Sequence, residues 1–420
     1  MDSRLELLSR ISYQNERKIL LIIIDGLGGL SHPNYRGRTE LQYAKLPNID
    51  KFVMEKQTVT GLIYPVRRGI IPGSGTGHLG LLGYDPLYYK VGRGALEAAD
   101  LKTGEVAQGD ITARFNFCTI DEERKVIDRR AKRLTNGKEI AELLNSRVKI
   151  PGATVKLIST KEHRGVLIIK NDGQLSPRIT DTDPERNGLR FLQSEPIYDV
   201  VSGVKKATPA ASKTAKIVNE YTKQVMKVLK RMKPVNGIIC RGFSTFPNLP
   251  QFNEVYSLNA AAIAAYPLYR GIAKLVGMKV LYGATNLKEE INMLEENYKK
   301  FNFFFLHYKD PDSKGEDGDF IGKVRDLQYF DSLFPKIRKM KFDVLAITGD
   351  HSTPSIIKAH SHHSVPIAIN SNFMKGFDKT KHFDEKECIY GSLGRMVGVE
   401  LMTILMANAR KLNKFEGFEN

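Results

Sequence analysis

Ser74 lies in "PGSGTGHLGLLGYDP" (Pro72 to Pro86), one hydroxyl crowded by glycines. On its own the stretch reads as a phosphate-cradling loop, a turn holding a nucleophile, or an ordinary connection, and residues elsewhere must decide. Asp25 closes the run "KILLIIIDGLGG", and "DPDSKGEDGD" supplies Asp310, Asp312, Glu316, Asp317 and Asp319. "GDHSTP" supplies Asp350 and His351, and "KAHSHHS" adds His360, His362 and His363. Carboxylate and imidazole donors together suit Mn²⁺, Zn²⁺, Fe²⁺ or Co²⁺, with Mg²⁺ less favoured where imidazole is required. There are donors enough for two ions. Paired ions clamp the attacking and leaving oxygens of a phosphoryl transfer, and a serine bound to one of them loses its proton readily and becomes a nucleophile. If "GHLGLLG" begins a helix, its free N–H groups also face the phosphate.

Each of these features has a plainer reading. Asp-Gly after a strand is ordinarily a turn, and an acidic run such as Asp310 to Asp319 is ordinarily a solvated loop; it lacks the spacing of the calcium-binding hand. His362 and His363 read as surface or neighbouring residues. Asp350 and His351 at a strand end, with His360 nine residues on, are the strongest signal of a metal site.

These residues need a frame. "KILLIIIDGLGG", "FNFFFLHYKD" and "FDVLAITGDHS" are apolar runs that end in acidic residues or histidine, and "VNGIICRGFS" and "GMKVLYGAT" read as further buried strands. Helical patterns such as "SKTAKIVNEYTKQVMKVLKRM" and "IGKVRDLQYFDSLFPKIRKM" lie between them. The alternation predicts an α/β fold with a mostly parallel sheet flanked by helices, its ligands at the carboxyl ends of the strands. The middle differs: "DITARFNFCTI", "KVIDRRAKRLT", "ATVKLIST" and "RGVLIIK" are short β-branched segments around one helix, "GKEIAELLNS". They predict a small α+β domain over residues 105–190, inserted into a core made of 1–104 and 191–420.

The 420 residues are 41% hydrophobic and 26% charged, ordinary for a soluble globular chain. No run approaches the roughly 18 apolar residues of a spanning helix, and the charged first residues lack a signal core, so no membrane partner is expected. Three separated cysteines make no disulfide framework and point to the cytoplasm. The formal charge of +17 is spread along the chain, densest in "DRRAKR". That distribution suits a solvated surface or small anionic substrates rather than nucleic acid.

Seven segments occur in order: "IIIDGLGG", "LPNIDKF", "IPGSGTGHLGLLGYDP", "GRGALEA", "IDRRAKR", "DGDFIGKV" and "ITGDHSTP…KAHS". Together they resemble the archaeal-type cofactor-independent phosphoglycerate mutases of the alkaline phosphatase superfamily, over about residues 18 to 405. The resemblance implies an alkaline-phosphatase-like core. It implies that Asp25, Ser74, Asp350 and His351 hold one ion and that Asp312 and His360 belong to a second. Glu316 stands where the family pattern has a histidine, and Gly75 where it usually has an acidic residue; a glutamate ligand would shift ion preference. The inserted domain is implied to bind phosphoglycerate and close over the serine, with Asp110, Arg114, Asn116, Asp128, Arg129, Arg130, His163 and Arg164 as candidates to line it. The implied reaction interconverts 3-phosphoglycerate and 2-phosphoglycerate through phosphoserine at Ser74, in glycolysis and gluconeogenesis. It would use two divalent ions, manganese first and magnesium, cobalt or zinc as alternatives, without bisphosphoglycerate; the oligomeric state is left open. The rival readings are a metal-dependent phosphatase or other phosphomutase of the superfamily, and a non-catalytic paralogue with an altered second metal site.

Overall fold

Six consecutive leucine and isoleucine side chains, Ile19–Ile24, are buried on both faces of a sheet, the placement such an uninterrupted apolar run favours. In the computed structural model, which describes residues 2–101, 104–201, 204–374 and 378–417, the chain forms two compact units. One is Met1–Lys90 with Leu249–Asn420, the other Val91–Asn248.

The first unit is built on an eight-stranded sheet. Its order is Lys279–Leu281, Ala260–Ala264, Phe303–Tyr308, Ile19–Ile24, Val344–Thr348, Val365–Ser371, Thr58–Tyr64 and Gly394–Val397. Only Val365–Ser371 runs against the others, so the sheet is mostly parallel, as the α/β pattern predicts. Ile24 pairs with Tyr308, and Ile23 with Thr348. Asp25, Lys309 and Gly349-Asp350 therefore leave three adjacent strands at the same end. Helix Phe320–Arg338 packs its buried Phe334 edge-on to Phe52 of Pro47–Val53, ring centres 5.3 Å apart.

The second unit is an antiparallel sheet centred on Ile111–Ile120. Arg164–Ile169 and then Val155–Lys161 lie on one edge; Gly237–Thr245 and the short Val126–Asp128 share the other. Helix Pro209–Leu229 buries Ala211, Ala215, Val218, Tyr221, Val225 and Leu229, a spacing of three and four that makes one apolar stripe. With helix Gly137–Arg147 that stripe covers the face presenting Phe115, Phe117, Leu167 and Ile238.

The boundaries 105–190 expected from the sequence need correction. The unit begins at Val91 and ends at Asn248. "VNGIICRGFS", expected among the strands of the large sheet, pairs instead along Ile111–Ile120, and the helix before it covers this smaller sheet. An apolar run reveals burial but not which sheet it joins.

Candidate metal centre

Ser74 opens helix Ser74–Leu81, with Gly73 as its N-cap. The helix starts three residues earlier than "GHLGLLG" suggests, which puts the hydroxyl itself at the terminus where backbone N–H groups are unpaired. Gly77 sits one turn on. A Cβ there would lie 2.2 Å from the carbonyl oxygen of Asp350, so only glycine lets the helix press against the strand end bearing Asp350 and His351. Gly26 (φ +65°) turns the chain after Asp25 where a side chain would meet Asp312 and Thr353.

Three groups converge on one imidazole nitrogen. His351 Nε2 lies 3.1 Å from Asp350 Oδ2, 3.4 Å from Asp25 Oδ1 and 3.4 Å from Ser74 Oγ. Asp25, Asp350 and His351 are fully buried. The hydrogen bonds around them fix the tautomer. Thr353 Oγ1 donates to Asp312 Oδ1 at 2.6 Å, so at its 2.9 Å contact with His351 it must accept, and His351 Nδ1 carries the proton. Nε2 of the neutral ring then offers a lone pair to the point that Asp25, Asp350 and Ser74 surround. Asp25 Oδ1 and Asp350 Oδ2 are buried without hydrogen bonds. Carboxylate oxygens left bare beside a bare imidazole nitrogen form the donor set a divalent ion completes.

Electrostatics tell the same story. Burial pushes the carboxyls of Asp25 and Asp350 up, but Lys309, His307 and His351 at Asp25, and His351 and His78 at Asp350, hold both below the usual carboxylate range. Burial opposes a charge on His351, yet Asp350, Asp25 and Asp312 lift its pKa to about 9. In the absence of an ion the centre draws a proton onto His351; it demands positive charge.

A second group adjoins the first. His360 Nδ1 lies 2.9 Å from the Pro72 carbonyl, which can only accept, so His360 Nε2 is the free nitrogen. It faces Asp312 Oδ1 and Glu316 Oε1, each at 3.7 Å. Asp312 and Glu316 share a face of helix Asp310–Asp317, one turn apart; the acidic run is a helix rather than a loop. Asp312 is buried, whereas the Glu316 side chain is 56% exposed. The His351 and His360 rings stack with centres 3.6 Å apart. Asp312, His351 and His360 thus make a second potential cation group beside Asp25, Asp350 and His351. His362 and His363 are exposed and face each other.

Sequence reasoning missed five residues around this centre. Tyr269 donates its hydroxyl to Asp25 Oδ2, His307 Nε2 lies 3.2 Å from the same oxygen, and Lys309 Nζ 3.0 Å from it. His78 donates from Nδ1 to the Ser74 carbonyl at 2.7 Å and lies 3.2 Å from Asp350 Oδ2. Thr353 joins His351 to Asp312. His78, His307 and Lys309 stand inside quoted motifs, but only the strand register brings them to the carboxylates.

The second unit gathers the arginines. Arg114 and Asn116 alternate with the core residues Ala113, Phe115 and Phe117, so they occupy the opposite face of the sheet. Arg114 pairs across the ladder with Arg241, and Asn116 with Arg164. Helix Arg93–Ala99 adds Glu97, which binds both Arg93 (3.2 Å) and Arg114 (3.4 Å). Burial lowers the Arg114 pKa to about 9, with Arg93, Arg241 and Arg164 adding to the fall against Glu97. The Nε atoms of Arg164 and Arg241 are buried without partners. This face presents surplus cationic donors to an anion. Burial and the neighbouring Arg164 lower the His163 pKa to about 4, so His163 is neutral there.

Other expected residues are otherwise engaged. Asp110 accepts from Ala107 N, Lys170 Nζ and Asn171 N. Asp128 accepts from the backbone of Arg130 and Lys132 and so shapes the basic turn. Arg129 donates through Nε and Nη2 to buried Asp183; Arg130 is exposed. Of the formal +17, +11 lies within Val91–Asn248, where 29 Lys and Arg face 18 Asp and Glu.

A mostly parallel α/β sheet with a carboxylate–imidazole group at its strand ends, and a serine hydroxyl at a helix terminus beside it, fits a class of metal-dependent enzymes. Comparison with known proteins narrows the class. The family profile described as 2,3-bisphosphoglycerate-independent phosphoglycerate mutase matches residues 56–236. Two relatives, from Thermus thermophilus and Aquifex aeolicus, are each named probable 2,3-bisphosphoglycerate-independent phosphoglycerate mutase. The first is 42% identical over 97% of this chain and 98% of its own length, the second 41% over 98% and 100%. Among solved structures, a protein from Pyrococcus horikoshii matches with a TM-score of 0.79 at 28% identity, over 96% of this chain and all of its own. The cofactor-independent phosphoglycerate mutase from Thermoplasma acidophilum matches with a TM-score of 0.63 at 26% identity, over 94% of this chain and all of its own. The chain belongs to the 2,3-bisphosphoglycerate-independent phosphoglycerate mutases. Among the described residues no helix is long and apolar enough to cross a membrane.

Proposed function

We propose that this protein interconverts 3-phosphoglycerate and 2-phosphoglycerate with Ser74 as the phosphoryl acceptor, a reaction of glycolysis and gluconeogenesis. The convergence of Ser74 Oγ, Asp25 Oδ1 and Asp350 Oδ2 on Nε2 of His351, the nitrogen an ion would take in place of a proton, carries the reading. Asp25, Ser74, Asp350 and His351 would hold one divalent ion, and Asp312, His360 and Glu316 the other, with manganese the best match to this mix of oxygen and nitrogen donors. Such ions supply charge stabilisation of the phosphoryl group and an acidified serine hydroxyl.

Ser74 Oγ gives up its proton and attacks the phosphorus, the bond to the C3 oxygen breaks, and that oxygen takes up a proton. The glycerate then presents its C2 hydroxyl, which gives up its proton and attacks the phosphoserine, and the released Ser74 Oγ takes a proton back. The N-terminal N–H groups of Ser74–Leu81 donate to the phosphoryl oxygens. Arg114, Arg164 and Arg241 suit the carboxylate and phosphate of the substrate. Keeping water from the phosphoserine separates a mutase from a phosphatase, and we assign the arginine-bearing unit to retaining the glycerate.

Manganese-loaded protein incubated with 3-phosphoglycerate should yield 2-phosphoglycerate and little free phosphate. Ser74→Ala should fold and retain metal while losing activity by orders of magnitude. Release of phosphate as the main product would point to a phosphatase, and near-normal turnover by the alanine variant would remove Ser74 as acceptor.

A further inference from the structure

The carboxylates of the centre are not used symmetrically. Asp25 Oδ2 is saturated by Tyr269 Oη, His307 Nε2 and Lys309 Nζ, whereas Asp25 Oδ1 has no hydrogen bond. Asp312 Oδ2 forms an ion pair with the same Lys309 Nζ, and Asp312 Oδ1 points towards His351 and His360. One ammonium therefore joins the back oxygens of two carboxylates, each from a different cation group, while their front oxygens meet at the imidazoles.

This lysine is held in place. It is the residue immediately before helix Asp310–Asp317, at the end of strand Phe303–Tyr308, and its side chain is only 16% exposed. The register of that strand with Ile19–Ile24 sets it beside Asp25, and one helical turn carries Asp312 back to it. Two buried carboxylates this close repel each other, and an internal cation is the simplest remedy before any ion arrives.

We propose that Lys309 is a built-in counter-cation: it balances the charge of Asp25 and Asp312 and holds both correctly turned in the metal-free protein, with Asp25 Oδ1 bare and Asp312 Oδ1 facing the imidazoles towards an ion. The inference rests on the reading of Asp25 and Asp312 as metal ligands, and assigns Lys309 a positioning role. Its charge has two opposing consequences. It stabilises the empty centre, and it repels every ion that enters. At a few ångströms, in a partly screened interior, removing that repulsion should tighten ion binding by about tenfold or more.

The test compares the full-length parent, Lys309→Met and Lys309→Arg after chelator dialysis, by thermal melting without metal and by calorimetric titration with Mn²⁺ alone. Lys309→Met should melt several degrees below the parent when metal-free, bind Mn²⁺ at least tenfold more tightly, and recover most of its melting temperature once loaded. Lys309→Arg, which keeps the charge, should follow the parent in both measurements. A methionine variant that folds only with Mn²⁺ present is the same outcome in stronger form. Unchanged metal-free melting with unchanged or weaker Mn²⁺ binding overturns the inference, as does a variant that folds under neither condition. If the parent itself takes up no Mn²⁺, the metal reading of the centre fails first and this inference with it; failure confined to the variant leaves that reading intact.

Discussion

Thr353 offers the sharpest test of how the centre is held. Its hydroxyl, fully buried, donates to Asp312 Oδ1 at 2.6 Å and accepts from His351 Nδ1 at 2.9 Å. Thr353→Val keeps the shape and deletes both bonds. A hydrogen bond to a charged partner contributes about 1.5–3 kcal/mol, so the two together approach roughly 3–6 kcal/mol in the metal-free protein. The extra buried methyl returns about 1 kcal/mol. The net loss is therefore roughly 2–5 kcal/mol, read by urea denaturation of chelator-treated protein. His351 also loses the acceptor that holds the proton on Nδ1, so Nε2 is no longer reserved for an ion. Loss of a partner of this kind ordinarily weakens metal binding about 10–100-fold, and a Mn²⁺ titration reads that separately. Thr353→Ser restores the hydroxyl and should recover most of both. Parent-like stability together with parent-like Mn²⁺ affinity in the valine variant would refute the tautomer assignment and the role of Thr353.

Glu316→Ala should weaken the second Mn²⁺ site, and Glu316→His should keep it while shifting preference away from Mg²⁺; calorimetry showing two unchanged sites in the alanine variant excludes the half-exposed Glu316 as a ligand. Arg129→Ala should destabilise the second unit by about 3–5 kcal/mol, because it leaves the buried Asp183 charge unpaired, and Arg129→Ala combined with Asp183→Ala should recover much of the loss in urea denaturation. Glu290, buried with one carboxylate oxygen accepting from Ala265 N at 2.8 Å, has its pKa pushed up to about 8 by burial. A raised carboxyl pKa means the folded state holds the proton more tightly than the unfolded chain, so its contribution is full below about pH 4.5 and is lost as pH rises through about 8, at about 1.4 kcal/mol per pH unit. Glu290→Gln should flatten that decline and stabilise the protein at pH 9; an unchanged stability–pH curve counts against it.

The central strands and the candidate ligands at their ends were readable because each joins an unbroken apolar run to an acidic residue or histidine shortly past its carboxyl end. Ile19–Ile24, Phe303–Tyr308 and Val344–Thr348 all follow that rule. Ala260–Ala264 did not announce itself, since alanine has little strand preference and only burial between two neighbours makes it one. The acidic segment after Phe303–Tyr308 folds as a helix because Pro311 suits its first turn and Gly318 (φ +77°) ends it. Its charges masked that signal. The partition of Gly237–Thr245 between sheets was illegible for a different reason: antiparallel pairing with Ile111–Ile120 is a long-range choice that no local pattern encodes. The same holds for Lys309, Tyr269 and Thr353, whose chemistry exists only where separate strand ends meet. Arg129 shows the converse: its basic cluster is plain in the sequence, but its pairing with Asp183 is not.

The register of Ile19–Ile24 has a consequence in time. The ribosome makes this strand before the Val91–Asn248 unit, yet its partners Phe303–Tyr308 and Val344–Thr348 come only after that entire unit. At roughly 5–20 residues per second, the emerging strand waits on the order of tens of seconds without its neighbours. The inserted unit, contiguous in sequence, can complete its own core during that interval. Asp25 and Ser74 likewise wait for Asp312, Asp350, His351 and His360, so no nascent chain that stops short of residue 360 holds the full candidate ligand set. Any loading of ions there would wait until residue 360 is made, and a chain that stops before Phe303–Tyr308 would carry a finished second unit and an apolar strand with neither of its neighbours.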